Sequence, residues 1–447
     1  MSTTVIQAAA VAVEATPGSM VNGTPDPSGL TFYGLQFERG TFPEVGAVQE
    51  VTPDNTARTG PFSGPDEPVA PWTGGVQVHR QTGDWTVNME VRGFGGSNGV
   101  LPDANSLPLA IMLSSVMHRI DSGGARLTPA ATGANAGQAI FATGTGPALG
   151  ELVMADVDGC IVVNRVTDVA VSSPNDTVTF AQYWPRTLTS SDRVQRGLNF
   201  TIRTGANFGT VGPTFAMRVQ SLDGQAIAYG CRLRSATFTS ASGKVMVALV
   251  VKAGIVIPGT IDPGNVLPTR VPSLLSGTCV LRRSALRISN DSDDVATTAA
   301  PVSIEAGEYA YQIDTFNLAL AWTLTDIGTG CGDLGFVDTE VSMAMATFGF
   351  TSFQVLATHQ LDLLRQHVRN VAVAAGPIQN TVGGVANYLN GWGAFFPAAS
   401  LTNSVNVQMG GEVTAQAYSW AARDYLGDDS GGTAVAANLF GIYLGGT

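Results

Sequence analysis

Between Glu340 and Val373 the hydrophobic period of the chain changes, and no other stretch restricts the possible folds as strongly. Val341, Met343 and Met345 alternate, which predicts a strand with one buried face. From Phe353 the spacing lengthens: Ala357, Leu361, Leu364, Val368 and Val371 would line one side of a helix. Ser352 stands at the N-cap position and Gly376-Pro377 would stop the helix. The same order occurs earlier. Trp85, Val87, Met89 and Val91 alternate, a glycine-rich turn follows, and Leu109, Met112, Leu113 and Val116 form a short amphipathic stretch opening near Pro108. Strand, turn and helix occurring twice, half a chain apart, predict an internal duplication.

The surrounding composition favours sheets. With 53 glycines, 44% apolar residues and only 13% charged ones, many short strands joined by turns are expected. At 447 residues there is room for two or three domains. Gly254–Pro272 carries Pro258, Pro263, Pro268 and Pro272 and reads as a linker. Before it, Gly150 to Phe180 breaks into short β runs, the texture of a small barrel of hairpins. Four strands from Leu198 to Val251 then form a meander with Asp223-Gly224 and Ser242-Gly243 as turns. Gly40–Gly75 reads as a long surface loop that a partner would order.

The formal net charge is −12, and Lys244 and Lys252 are the only lysines. From Ser273 onward six arginines stand against fifteen acids, so tight binding to a phosphate backbone is not expected. Cys160, Cys231, Cys279 and Cys331 show no metal or redox spacing and are expected as buried small hydrophobes of a reducing compartment. Met1–Val13 lacks the positive region of a secretory signal, and no run is long and apolar enough for a membrane helix.

Motifs that could carry chemistry fare poorly. Gly95-Gly96-Ser97-Asn98-Gly99 has the spacing of a nucleophile elbow, but Val100-Leu101-Pro102-Asp103 follows where a helix must begin. Asp429-Ser430-Gly431-Gly432 is preceded by Asp428, where a trypsin-like serine loop needs glycine. Asn290–Asp294 lacks the glycine and the closing glutamate of a calcium loop. His359 and His367 have no carboxylate or cysteine at ligand spacing, and Gly144-Thr145-Gly146-Pro147 sits in no strand–loop–helix context for phosphate. No catalytic, cofactor-binding or metal-binding residue is therefore expected.

Several stretches in order resemble the tail tube (major tail) proteins of long-tailed bacteriophages. Val13-Glu14-Ala15-Thr16-Pro17-Gly18 is similar to the opening of that family. Trp85 to Val91 followed by Leu107 to Met117 is similar to its strand and helix, and Gly150 to Pro185 to the small β-barrel that some members carry. Tyr229 to Phe238 with Gly243-Lys244 resembles its closing hairpins. The resemblance implies a mainly β, α+β chain: a tube-type β-sandwich over 1–253 with an inserted barrel at about 147–197, a linker at 254–272 and a second sandwich over 273–447, each with one packed helix. It also implies a structural virion protein, not an enzyme, made in the host cytoplasm and stacked as homotrimeric rings into a tube. Its partners would be itself, other tail proteins and passing DNA held without tight binding, with no membrane. On this reading acidic side chains would face the lumen. Another shell component, a capsid or decoration protein, would need a spine helix and a basic arm; a secreted hydrolase or adhesin would need a signal or a catalytic set.

Overall fold

The computed structural model describes residues 6–14, 20–21, 24–25, 29–42, 48–51, 76–80, 84–94, 104–121, 126–157, 160–202, 212–221, 225–241, 243–259, 275–279, 286–291, 309–311, 313–327, 338–352, 363–364, 368–376, 380–382, 385–387, 391–403, 416–423 and 440–445. The chain is mainly β. Its principal elements, in chain order, are β1 (Ile6–Val13), β2 (Asp84–Glu90), α1 (Pro108–Ser114), β3 (Gln138–Ala142), β4 (Leu152–Val157), β5 (Cys160–Ala170), β6 (Asn175–Phe180), β7 (Val194–Thr201), β8 (Phe215–Ser221), β9 (Gln225–Ala241), β10 (Lys244–Lys252), β11 (Ile255–Gly259), β12 (Ile313–Ile327), β13 (Asp338–Ser352), β14 (Val368–Ala375), β15 (Gly391–Leu401), β16 (Gln416–Ala422) and β17 (Gly441–Gly445).

Two sheets face each other across the main core. The larger runs through Arg39–Thr41, β2, β10, the second half of β9, β12, β13 and β16, all antiparallel, and β16 also pairs with Ala399–Leu401 of β15, which joins it to the other sheet. The facing sheet runs through His118–Asp121, β7, β17, β15, β14 and Leu286–Asp291. Trp392 on β15 fills the gap between them, its ring 5.5 Å from Phe316 and 5.2 Å from Phe238. Phe238 precedes the Gly254–Pro272 stretch and Phe316 follows it, so both halves of the chain share this core.

The long strand β9 serves two sheets because it bends. Gln225–Tyr229 pairs with β8 and β11, whereas Arg232–Ala241 pairs with β10. Gly230 sits at the bend with φ +63°, a left-handed conformation that a side chain would strain. Its N–H donates to the buried carboxylate of Glu14, 2.9 Å away. At the same corner buried Arg232 donates from Nη1 to the carbonyls of Ser115 and Gly212, which closes the C-terminal end of α1. The helix starts at Pro108, and its seven residues are all buried.

The insert has its own core. Phe141, Val153, Val162, Val178, Phe180 and Trp184 cluster between two small sheets that share β5. This core begins at Leu127 and includes Ala139, well ahead of the start expected at about 147. The insert is seated on the outer face of β14, β15 and β17: Leu152, Met154, Ile161 and Val163 meet Ala372, Ala374, Phe395 and Tyr443. Those three strands are consequently covered on both faces, and every residue of β15 is buried.

Four expectations need correction. The helix expected from Phe353 through Val371 does not reach that far: Leu363-Leu364 is helical, but Val368 and Val371 belong to β14. Their spacing came from a strand buried on both sides, where apolar residues need not alternate. In β13 the alternation is present but its face is reversed, since Met343 and Met345 are exposed while Ala346, Phe348 and Phe350 face the core. Gly40–Gly75 is not structureless, because Arg39–Thr41 joins the large sheet and Val48–Val51 pairs with Val76–Arg80. Finally, the linker begins as a strand: β11 adds to β9, and residues 260–272 lie outside those described.

Candidate assembly surface

The outer face of the large sheet carries exposed and half-buried side chains among the described residues. Strand register defines it row by row. One row crosses six strands as Asn88, Ala248, Thr237, Ala319, Thr347 and Ala421. The next runs Thr41, Thr86, Val250, Ser235, Ala321 and Met345. Arg39 stands at the end of the first row, opposite Asn88 on the edge strand, and the other positions of both rows are uncharged. Short β-branched, hydroxyl and methyl side chains pack there between neighbouring strands, and such cross-strand pairs contribute roughly 0.2–1 kcal/mol each. Met343 and Met345, 52% and 56% exposed, are the large apolar groups on it.

Charge is confined to the margins. Lys244 pairs with Glu90 at 2.7 Å at one end of the strands, and Arg234 pairs with Asp84 at 2.7 Å at the other. The acidic wall expected from the net charge is not found on this face among the described residues.

The lateral edges differ in how they are finished. Along β16 the outer side is taken by Ala399–Leu401 of β15, and Asn403 prolongs that line: its side chain accepts from Ser419 N–H at 2.7 Å and donates to the Ala417 carbonyl at 2.9 Å. That covers the edge against unwanted pairing. β16 pairs with β13 only from Thr347 to Ser352, so among the described residues Asp338–Ala346 has a neighbour only on its β12 side. At the opposite edge Arg39–Thr41 pairs only with β2 among the described residues.

Behind the exposed part of β13 lies a depression lined by Val116, Ile202, Trp322, Val341 and Ala344. Trp322 is 4% exposed, and its indole N–H has no acceptor among the described groups.

Polar groups elsewhere serve the fold. Arg196 grips Glu151 with two bonds of 2.7 and 2.8 Å where the insert meets the sandwich. Arg186 does the same for Asp192 and holds its carboxyl below the ordinary value, with hydrogen bonds from Thr189 acting in the same direction. Cys231 and Cys279 are fully buried; burial pushes the first thiol well up and the second to about 12. Gly144 caps a turn, its N–H donating to Asp176 at 2.8 Å. Gly95–Gly99, His359, His367, Cys331, Ser292–Asp294 and Asp428–Gly432 lie outside the described residues. No group of three His, Cys, Asp or Glu among the described residues is placed to hold a metal. No described helix is long and apolar enough to cross a membrane.

The chain matches no family model, and no curated protein aligns with it.

Proposed function

We propose that this chain is a structural subunit of a phage tail, stacking as rings into a hollow tube through which the genome passes. The observation that carries the reading is the large sheet: β2, β9 and β10 from one half of the chain and β12, β13 and β16 from the other form one surface. With Arg39–Thr41 counted, the first half contributes four strands and the second three, a near balance that a ring of three subunits with approximate sixfold symmetry would use. The uncharged middle of that surface also suits passage of DNA. Neutral hydroxyls and methyls release no counterions from phosphate, so they add no salt-dependent binding at each ring. Other tail proteins would terminate the stack, and the tube would sit in the virion after synthesis in the host cytoplasm. Heterologous contacts of this kind close by rotation within a ring and propagate along its axis. Negative-stain microscopy of the purified protein tests the reading: rings or tubes with three copies per ring are expected. Six copies per ring would remove the duplication argument, and a chain that stays monomeric at high concentration would remove the tube.

A further inference from the structure

Independently of assembly, we infer that Met343 and Met345 form a paired oxidation site, at which peroxide converts two thioethers to sulfoxides while the fold stays intact. Accessibility selects the pair. Both side chains stand more than half exposed on the outer face of β13, and no strand borders them on the β16 side among the described residues. Met89, Met112, Met117, Met154 and Met217 are buried, and Met246 is half-buried. In the reaction one oxygen of hydrogen peroxide passes to Sδ as the O–O bond breaks. The sulfur gives up two electrons, and the other oxygen leaves as water. That approach needs a sulfur open to solvent, so the exposed pair reacts first.

The surroundings accept the product. A sulfoxide is polar and a strong acceptor, and in a core it would lack donors and space. On β13 the register sets Met343 opposite Thr323, and Thr347 follows Met345 on the same face. Both threonines are exposed, so their hydroxyls and water are at hand as donors to S=O. The strand is uncrowded here as well, since Ser342 is the extra residue of a bulge between the Thr323–Met343 and Leu324–Val341 pairs. Oxidation changes polarity without changing charge: the large apolar groups of the face become polar, and no cation or anion is added. Sulfoxide reductases reverse the step, with a dithiol supplying two electrons, the oxygen leaving as water and the thioether returning. The pair is thus a reversible switch of the face's polarity.

The test uses the full-length chain in dilute hydrogen peroxide under native conditions, with oxidation at each methionine followed by peptide mass spectrometry. Met343 and Met345 should react about tenfold faster than the buried methionines or more, with the circular dichroism spectrum and the unfolding midpoint unchanged. Retention on a phenyl column reads the polarity of the face. It should fall on oxidation and return after treatment with sulfoxide reductases of both epimer specificities and dithiothreitol. A variant combining Met343→Leu with Met345→Leu should show no such fall, which controls for oxidation elsewhere in the chain. Equal rates at buried and exposed methionines, loss of ordered structure once the pair is oxidised, or a retention that falls equally in the variant would each overturn the inference. None of these results bears on the tube, which stands or falls by ring formation.

Discussion

Gly393 shows how one missing side chain decides where the insert sits. A Cβ there would come within 2.9 Å of the Val163 Cβ and 3.0 Å of both its methyls, and a β-branched side chain in a strand has little room to turn away. Gly393→Ala should cost about 2 kcal/mol in denaturant unfolding. Val163→Ala in the same chain should recover part of that loss, a coupling a double-mutant cycle would measure. Asp192 gives a pH prediction. Its folded pKa lies below the ordinary 3.8, so its contribution to stability is complete above the unfolded value and is lost as pH falls through the folded one. Unfolding measured between about pH 5 and 2 should lose stability less steeply in Asp192→Asn than in the unsubstituted protein. Cys231 and Cys279, buried with raised thiol pKa, should resist alkylation in the native state and react after denaturation, as read site by site by mass spectrometry.

Elements were legible where one face met the core and the other met solvent or a neighbouring strand. Trp85, Val87, Met89 and Val91 alternate as read, and their side chains are buried. The helix begins at the expected proline, and Gly243 takes the positive φ, +78°, that its hairpin turn needs. Legibility failed where a strand was covered twice. β14 holds Val371 and Val373 against the main core and Ala372 and Ala374 against the insert, so its apolar positions mimic helical spacing. The face of β13 was misjudged because methionine reads as core by transfer energy, whereas the choice of face is set by Phe350, stacked on Tyr418, and Phe348, packed at a tilt against Phe316 and Phe396. The open edges were invisible in sequence, since an edge is defined by what fails to pair with it. Met343→Lys, which sets a charge on the neutral face, should leave the fold intact by circular dichroism while weakening ring formation, measured by sedimentation.

At the scale of the whole molecule, the two halves are woven together rather than strung in series. β9 pairs with β12 across the Gly254–Pro272 stretch, and β17 returns to pair with β7 in the first half. Calorimetry should therefore give one cooperative transition for the two facing sheets, with no separate melting of residues 273–447. The return of β17 also sets a timetable. Its Tyr443 reaches the carbonyl of Gln195, 248 positions away along the chain, and β17 fills the slot between β7 and β15. Contacts of such sequence separation form late, because the entropy of closing the loop is lost before any contact rewards it. Until β17 arrives, β7 and β15 each lack a neighbour and the wall opposite the large sheet is incomplete. If the chain assembles as proposed, a subunit would thus become competent only after these distant segments have met, and the order in which the protein folds would hold polymerisation back from half-made chains.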